Sequence, residues 1–236
     1  MGFTHKSLGE KRGFSVAFLG QDGAGKSTIS EDICSWLNWK IEAQKFYLGS
    51  GDHYHSVFKF FKSVLRQKNS LVKAIWAMLN IFDLASLSRH NLFVIQRARK
   101  YICKGGIVLY DRFPQNQFQG INDGPKIRQV YYEKSNNILY KKFVVFFARI
   151  EEKNIEKIIK FQPTVVIKLK LSPEESIRRK PEEDIENVNI KHFIIESLVF
   201  PLSENHTIDA TMPYERELIE VKKIIWARIE KNSKEI

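Results

Sequence analysis

The chain has 236 residues, enough for one large domain or two small ones with a sizeable buried core. Hydrophobic residues make up 43% and aromatics 12%, values that exclude an intrinsically disordered chain. A formal net charge of +11 suits anionic partners (nucleotides, nucleic acid or an acidic membrane surface) without choosing among them, and a lysine-rich solvated surface explains it equally well.

The opening segment, MGFTHKSLGEKRGFSVAFLG, has no long apolar stretch of signal-peptide type, and Lys6 stands where a myristoylation signal needs Ser or Thr. Cys34 and Cys103 form neither a disulfide framework nor a metal-site spacing, and no apolar run approaches membrane-spanning length. The expectation is a soluble, cytoplasmic protein.

Apolar runs then alternate with helical periods, the mark of an α/β fold. The first strand is expected at Phe14–Leu19, followed by a helix from Lys26 to Ile41 with Ile29, Ile33, Trp36, Leu37 and Ile41 on one face. Further strands are expected at Lys45–Leu48, Ile107–Tyr110, Thr164–Leu171 and Thr207–Ile208. Two mostly helical segments, residues 54–99 and 126–160, read as elaborations on a single domain spanning residues 1–236. In the first, Val57, Phe61, Val64 and Leu65 share a helical face, as do Leu71, Ile75, Met78, Leu79 and Phe82. Such faces suit core helices covering a sheet or a contact with a second copy of the chain; a basic amphipathic helix on a membrane surface is the other reading. After the fourth strand, Ser172 is placed to cap a helix with Pro173 at its first position and Glu175 completing a capping box. A last helix, ERELIEVKKIIWARIEK, buries Leu218, Val221, Ile224, Ile225 and Ile229.

Between the first strand and helix lies Gly20-Gln-Asp-Gly-Ala-Gly-Lys26-Ser27, which satisfies G-x-x-x-x-G-K-[ST]. Gly20, Gly23 and Gly25 let backbone N–H groups converge on phosphate oxygens, with the amides of Ala24 and Thr28 nearby and the helix N-terminus adding its dipole. Lys26 would reach the β- and γ-phosphates of a triphosphate, and the Ser27 hydroxyl would bind Mg²⁺. A flexible glycine turn into a helix is the plain alternative. Asp22 is a carboxylate in a loop built for anions; it orients a sugar hydroxyl or a metal-bound water, or it simply forms the turn.

The blocks GQDGAGKST and IVLYDRF resemble the thymidylate kinase family of nucleoside monophosphate kinases. The resemblance implies a three-layer P-loop kinase fold with a five-stranded parallel sheet in the order 2-3-1-4-5, using ATP and Mg²⁺. It places Asp111-Arg112-Phe113 at the tip of a strand, where ligands of open sheets collect. Arg112 would then clamp the acceptor phosphate, and Asp111 would lie beside Mg²⁺ or the acceptor. QPTVVIKLKLSPEESIRRKPEED resembles the family's strand, helix and lid. It implies a short lid at about residues 178–186 in which Arg178, Arg179 and Lys180 neutralise the transferring group; a solvated basic helix end is the alternative for each. HTIDAT resembles the strand whose following loop borders adenine.

The acceptor half departs from the family. YLGSGDHYHS replaces an acidic, arginine-containing segment, and Ala85 stands four residues before Arg89 where a stacking Phe is usual. Arg89 is the acceptor candidate, with Arg97 and Arg99 as competitors, and Asn116 and Phe118 fall in the base-contact region with altered spacing. DGPKI resembles thymidylate-kinase-like proteins encoded among bacterial surface-glycan genes. The leading expectation is therefore a kinase forming a nucleoside diphosphate from thymidylate. A kinase of a nucleoside, sugar or glycan precursor is the second reading, and a non-catalytic nucleotide-binding scaffold on membrane or nucleic acid the third, although no nucleic-acid module is recognised. His53 and His55 flank Tyr54 but lack an evident third ligand for a metal.

Overall fold

The first strand, β1 (Phe14–Gly20), is apolar apart from Ser15 and buried through Leu19, so it reads as the centre of a sheet covered on both faces. The computed structural model, which describes residues 8, 13–49, 70–182 and 184–234, places it there. The segment carrying His53, His55, Val57, Phe61, Val64 and Leu65 lies outside the described residues.

Five parallel strands form one sheet: β1, β2 (Ala43–Tyr47), β3 (Ile107–Asp111), β4 (Val165–Lys170) and β5 (Glu204–Asp209), in the order β2-β3-β1-β4-β5. This is the expected 2-3-1-4-5 order of an α/β fold, with the glycine loop between β1 and α1 (Lys26–Leu37). Register matters for the site. Phe18 pairs with Asp111, which pairs in turn with Tyr47, while Gly20 pairs with Leu169. The strand tips of β1 and β3 therefore end side by side. Gly20 has to be glycine, because a Cβ there would stand 2.7 Å from the Leu169 carbonyl oxygen.

Two compact units share the chain. The first, residues 1–48, 96–113 and 162–236, contains the sheet. Its core joins Phe14, Val16 and Phe18 of β1 and Ile29, Ile33 and Leu37 of α1 to Val221, Ile225 and Ile229 of α7 (Tyr214–Lys234). The α7 stripe agrees with its periodicity. Helix α1 stops at Leu37 and does not run to Ile41. Asn38 ends it by turning its side chain to the backbone of Ala43, accepting from the amide at 3.0 Å and donating to the carbonyl at 3.0 Å. α5 (Pro173–Arg179) is capped by Ser172, whose Oγ accepts from the Glu175 amide at 3.2 Å. The reciprocal half of the expected capping box does not form, because the Glu175 carboxylate pairs with Arg178 and Arg179 instead. A further helix, α6 (Ile185–Ser197), capped by Asp184, was not anticipated from the sequence.

The second unit, residues 49–95 and 114–161, is helical. It holds most of the 34-residue α2 (Ser70–Cys103), the short α3 (Ile127–Tyr131) and α4 (Ile138–Ile159). Ile81, Ala85, Ile127, Tyr140, Val144 and Ala148 form its core. The α2 face does not pack as a core helix would: Ile75, Met78 and Phe82 are exposed, and the helix turns Ile81, Ala85 and Ile95 inward. The buried Glu151 carboxylate caps α3, accepting from the amides of Lys126 at 3.0 Å and Ile127 at 2.9 Å. A cavity of about 990 Å³ opens in this unit, bordered by Trp76, Met78, Tyr131, Tyr140 and Phe143. Among the described residues no helix is long and apolar enough to cross a membrane.

Candidate functional site

The glycine loop closes on itself around Lys26. That side chain is only 6% exposed, and its Nζ donates to the carbonyls of Gly20 at 3.0 Å and Gln21 at 2.6 Å. Gly25 caps α1 with φ 79°, a left-handed conformation that glycine adopts without strain, and Gly23 follows the same logic at φ 83°. Ser27 and Thr28 in the first turn of α1 are exposed, while Ala24 is buried. Gln21 anchors the loop to the end of β4, its Oε1 accepting from the Leu171 amide at 3.3 Å. Lys45 of β2 donates to the Ser27 carbonyl at 3.1 Å and to Glu31 at 2.8 Å, securing the first turn of α1.

The β3 tip supplies the second half. Asp111 is 1% exposed, and its Oδ1 has no hydrogen-bond partner among the described residues. A buried carboxylate oxygen left unpaired costs free energy unless a ligand, an ion or a water completes it. Arg112 follows with φ 73°, an unusual conformation for a residue with a Cβ, while its amide donates to the Phe18 carbonyl at 3.1 Å. The turn aims its guanidinium at the loop, where Nη2 donates to Asp22 Oδ1 at 3.0 Å. Phe113 belongs to the core: it packs on Tyr110 and Phe200 and is buried.

Asp22 also accepts from Lys191 Nζ of α6 at 2.8 Å. Burial pushes its carboxyl up, but the Lys191 hydrogen bond and the charges of Lys26, Lys191 and Arg112 outweigh this and hold it well below the usual carboxylate range. Of the two lid arginines, Arg178 is 77% exposed and forks onto Glu175. Arg179 turns to the loop, donating to the carbonyls of Gly23 at 3.0 Å and Ala210 at 3.1 Å while its Nε reaches Glu175 at 2.8 Å. The structure thus brings together Lys26, Asp22, Asp111, Arg112 and Arg179 within the first unit, and turns Arg178 outward. Arg89 and Asn116 belong to the second unit, where both are exposed, as are Arg97 and Arg99 in the first.

Sequence reasoning missed four polar groups. Lys191 and Gln21 secure the loop as described. Gln115 is buried and knots the segment after Phe113, its Nε2 donating to the carbonyls of Phe118 at 2.8 Å and Ile121 at 2.9 Å. Glu217, in the first turn of α7, is 5% exposed, and its Oε1 has no hydrogen-bond partner among the described residues. Only α6 carried a signal, the Asp184 cap three residues before Asn187.

Burial pushes the Glu217 carboxyl up to about 7 and nearby Asp209 adds to this, while the Arg179 charge opposes it. A raised native value means that the folded protein keeps a proton which the unfolded chain sheds near pH 4.5, so folding stability falls as pH climbs from about 4.5 to about 7. Glu217→Gln is therefore expected to match the wild type below pH 4.5 and to exceed it by on the order of 3 kcal/mol above pH 7. Urea melts of both proteins from pH 4.5 to 8 check this; parallel curves would contradict it.

No protein-family model matches the chain. It is 26% identical over 226 residues to the uncharacterized ATP-binding protein YghR of Escherichia coli K12, covering 89% of this chain and 86% of that protein. It is 20% identical over 217 residues to the uncharacterized ATP-binding protein YghS of the same strain, covering 84% and 86%. Among solved structures, thymidylate kinase from Ehrlichia chaffeensis aligns with a TM-score of 0.45 and 12% identity over 91% of this chain and 98% of that one. Deoxyadenosine kinase from M. mycoides, with bound dCTP, aligns with a TM-score of 0.48 and 17% identity over 90% and 99%.

Proposed function

We propose that the chain is an ATP-dependent phosphotransferase that moves the γ-phosphoryl group onto the phosphate of a nucleoside monophosphate, with thymidylate as the first candidate. The observation that carries the reading is the juncture of loop and strand tip: Arg112, twisted into φ 73°, is held 3.0 Å from Asp22 inside the glycine loop. A donor site and an acceptor clamp then share one edge of the sheet. The kinship with proteins called ATP-binding supports ATP as donor.

In this reading the amides of residues 23–28 and Lys26 hold the triphosphate, Arg112 orients the acceptor phosphate, and Arg179 braces the loop from α5. An acceptor phosphate oxygen attacks the γ-phosphorus, the bond to the β–γ bridging oxygen breaks, and ADP leaves. Because that oxygen carries no proton at neutral pH, the step needs alignment and charge neutralisation and no base. The exposed Ser27 hydroxyl and the orphaned Asp111 Oδ1 are hard oxygen donors of the kind Mg²⁺ prefers; they would hold the ion, which when bound would neutralise charge on the phosphates. Both units would serve one kinase domain in the cytoplasm.

The same Asp111 favours a second reading, because a hydroxyl acceptor needs a base and a carboxylate at a strand tip whose Oδ1 has no partner among the described residues can serve as one. A panel of thymidylate, uridylate, cytidylate and the corresponding nucleosides with labelled ATP separates the two. Diphosphate products from a monophosphate are expected. Labelled monophosphates from nucleosides would establish the second reading, and ATP binding with no product from this panel would overturn the nucleotide acceptor and leave a sugar or glycan-precursor acceptor or a nucleotide-binding scaffold.

A further inference from the structure

A phosphate-binding loop should tolerate no anion, yet Asp22 sits in its middle, and the surrounding cations show how the charge is borne. Each carboxylate oxygen has its own cation: Oδ1 accepts from Arg112 at 3.0 Å and Oδ2 from Lys191 at 2.8 Å. The adjoining backbone is held from α5, where Ser176 Oγ donates to the Asp22 carbonyl at 3.4 Å and Arg179 Nη1 to the Gly23 carbonyl at 3.0 Å. The side chains of Asp22 and Lys191 are each 25% exposed, so their attraction is only partly screened. Arg178 is spent on Glu175 in solvent, and Lys191 is the cation that this part of the fold delivers to a side chain of the loop.

We propose that Lys191 is a positioning residue of the transfer site, which neutralises Asp22 so that the loop keeps its affinity for a triphosphate and Arg112 keeps a share of its charge for the acceptor. Without Lys191, the carboxylate draws on Arg112 and Lys26, the two cations that transfer requires in this reading. Its repulsion then falls on the incoming triphosphate. The inference rests on the reading of the loop as a triphosphate site.

The role predicts a suppression that lost packing cannot imitate. Lys191→Met should weaken binding of magnesium-ATP and of inorganic tripolyphosphate about tenfold by calorimetry, because a partly screened pair of charges is unbalanced. Asp22→Asn in the same chain should restore binding to within about threefold of wild type, since the carboxylate that needed neutralising is gone. Lys191→Arg should stay close to wild type, and Lys191→Gln repeats the test should the methionine disturb α6; thermal melts of every variant confirm folding. Equal binding by wild type and Lys191→Met, or a double variant no better than Lys191→Met, overturns the inference. A wild type that binds magnesium-ATP but phosphorylates nothing overturns the phosphotransferase reading and leaves the role of Lys191 standing. A wild type that binds neither ligand overturns both.

Discussion

Lys26→Met should lower phosphoryl transfer by about 10²–10³-fold or more, the loss typical of removing one preorganised donor from a site where charge develops. Methionine keeps the length and the apolar stem, so the change isolates the ammonium. That ammonium is buried, and the carbonyls of Gly20 and Gln21 orient it at 3.0 Å and 2.6 Å. It is thus preorganised by the loop it serves and needs no large rearrangement to meet a phosphate. Two carbonyls lose a donor in the variant, at a cost of about 1–3 kcal/mol if neither finds water. Activity should therefore fall much further than stability. A coupled assay for ADP, with calorimetry of magnesium-ATP binding and a thermal melt, measures all three quantities. Turnover within tenfold of wild type would remove Lys26 from the chemistry and leave it as a strut of the loop.

The parts of this site that a reader of the sequence can find are those in which one local pattern determines one local shape. β1 and the loop qualify, because an apolar run that ends in spaced glycines and Lys-Ser dictates strand, turn and helix within fifteen or so residues. β3 qualifies for the same reason, and the Asp111-Arg112 pair stands where its apolar run stops. β5 was legible only in its centre. Apart from Ile208 it offers no buried residue, so it lacks the apolar run that marks β1, β3 and β4. The exposed α2 face misleads in the opposite sense, since Ile75, Met78 and Phe82 have the period of a core helix but not its burial. What escaped altogether was long-range. Lys191 is one lysine of a strongly basic chain, and nothing in its neighbours signals a partner in the glycine loop. The buried amides of Gln21 and Gln115 are similar: their meaning lies in which carbonyls and amides the fold places around them. The lid arginines show the limit of a motif. Two adjacent residues on a helix point about 100° apart, and the fold turned Arg179 to the loop and Arg178 to solvent.

Arg112→Gly should separate function from stability most sharply. A residue with a Cβ at φ 73° costs about 1 kcal/mol relative to glycine, so the substitution relieves strain. It also removes the pairing with Asp22, but at 30% and 25% side-chain exposure that ion pair is worth no more than about 1 kcal/mol. The two effects oppose each other, and the melting temperature should hold or rise slightly. Transfer to a monophosphate should nonetheless fall about 10²–10³-fold, because among the described residues Arg112 is the planar fork of donors that the β3 tip presents to a phosphate. Arg112→Lys keeps the charge but not the fork and should recover only part of the loss. Acceptor kinetics then report the nature of the acceptor itself. A monophosphate acceptor makes KM rise together with the loss in kcat, since the clamp acts in both ground and transition states. An acceptor that offers only a hydroxyl leaves KM unmoved. A glycine variant that melts far below wild type would show that Arg112 is held at φ 73° for the sake of the fold, and the strain at the strand tip would then no longer speak for catalysis.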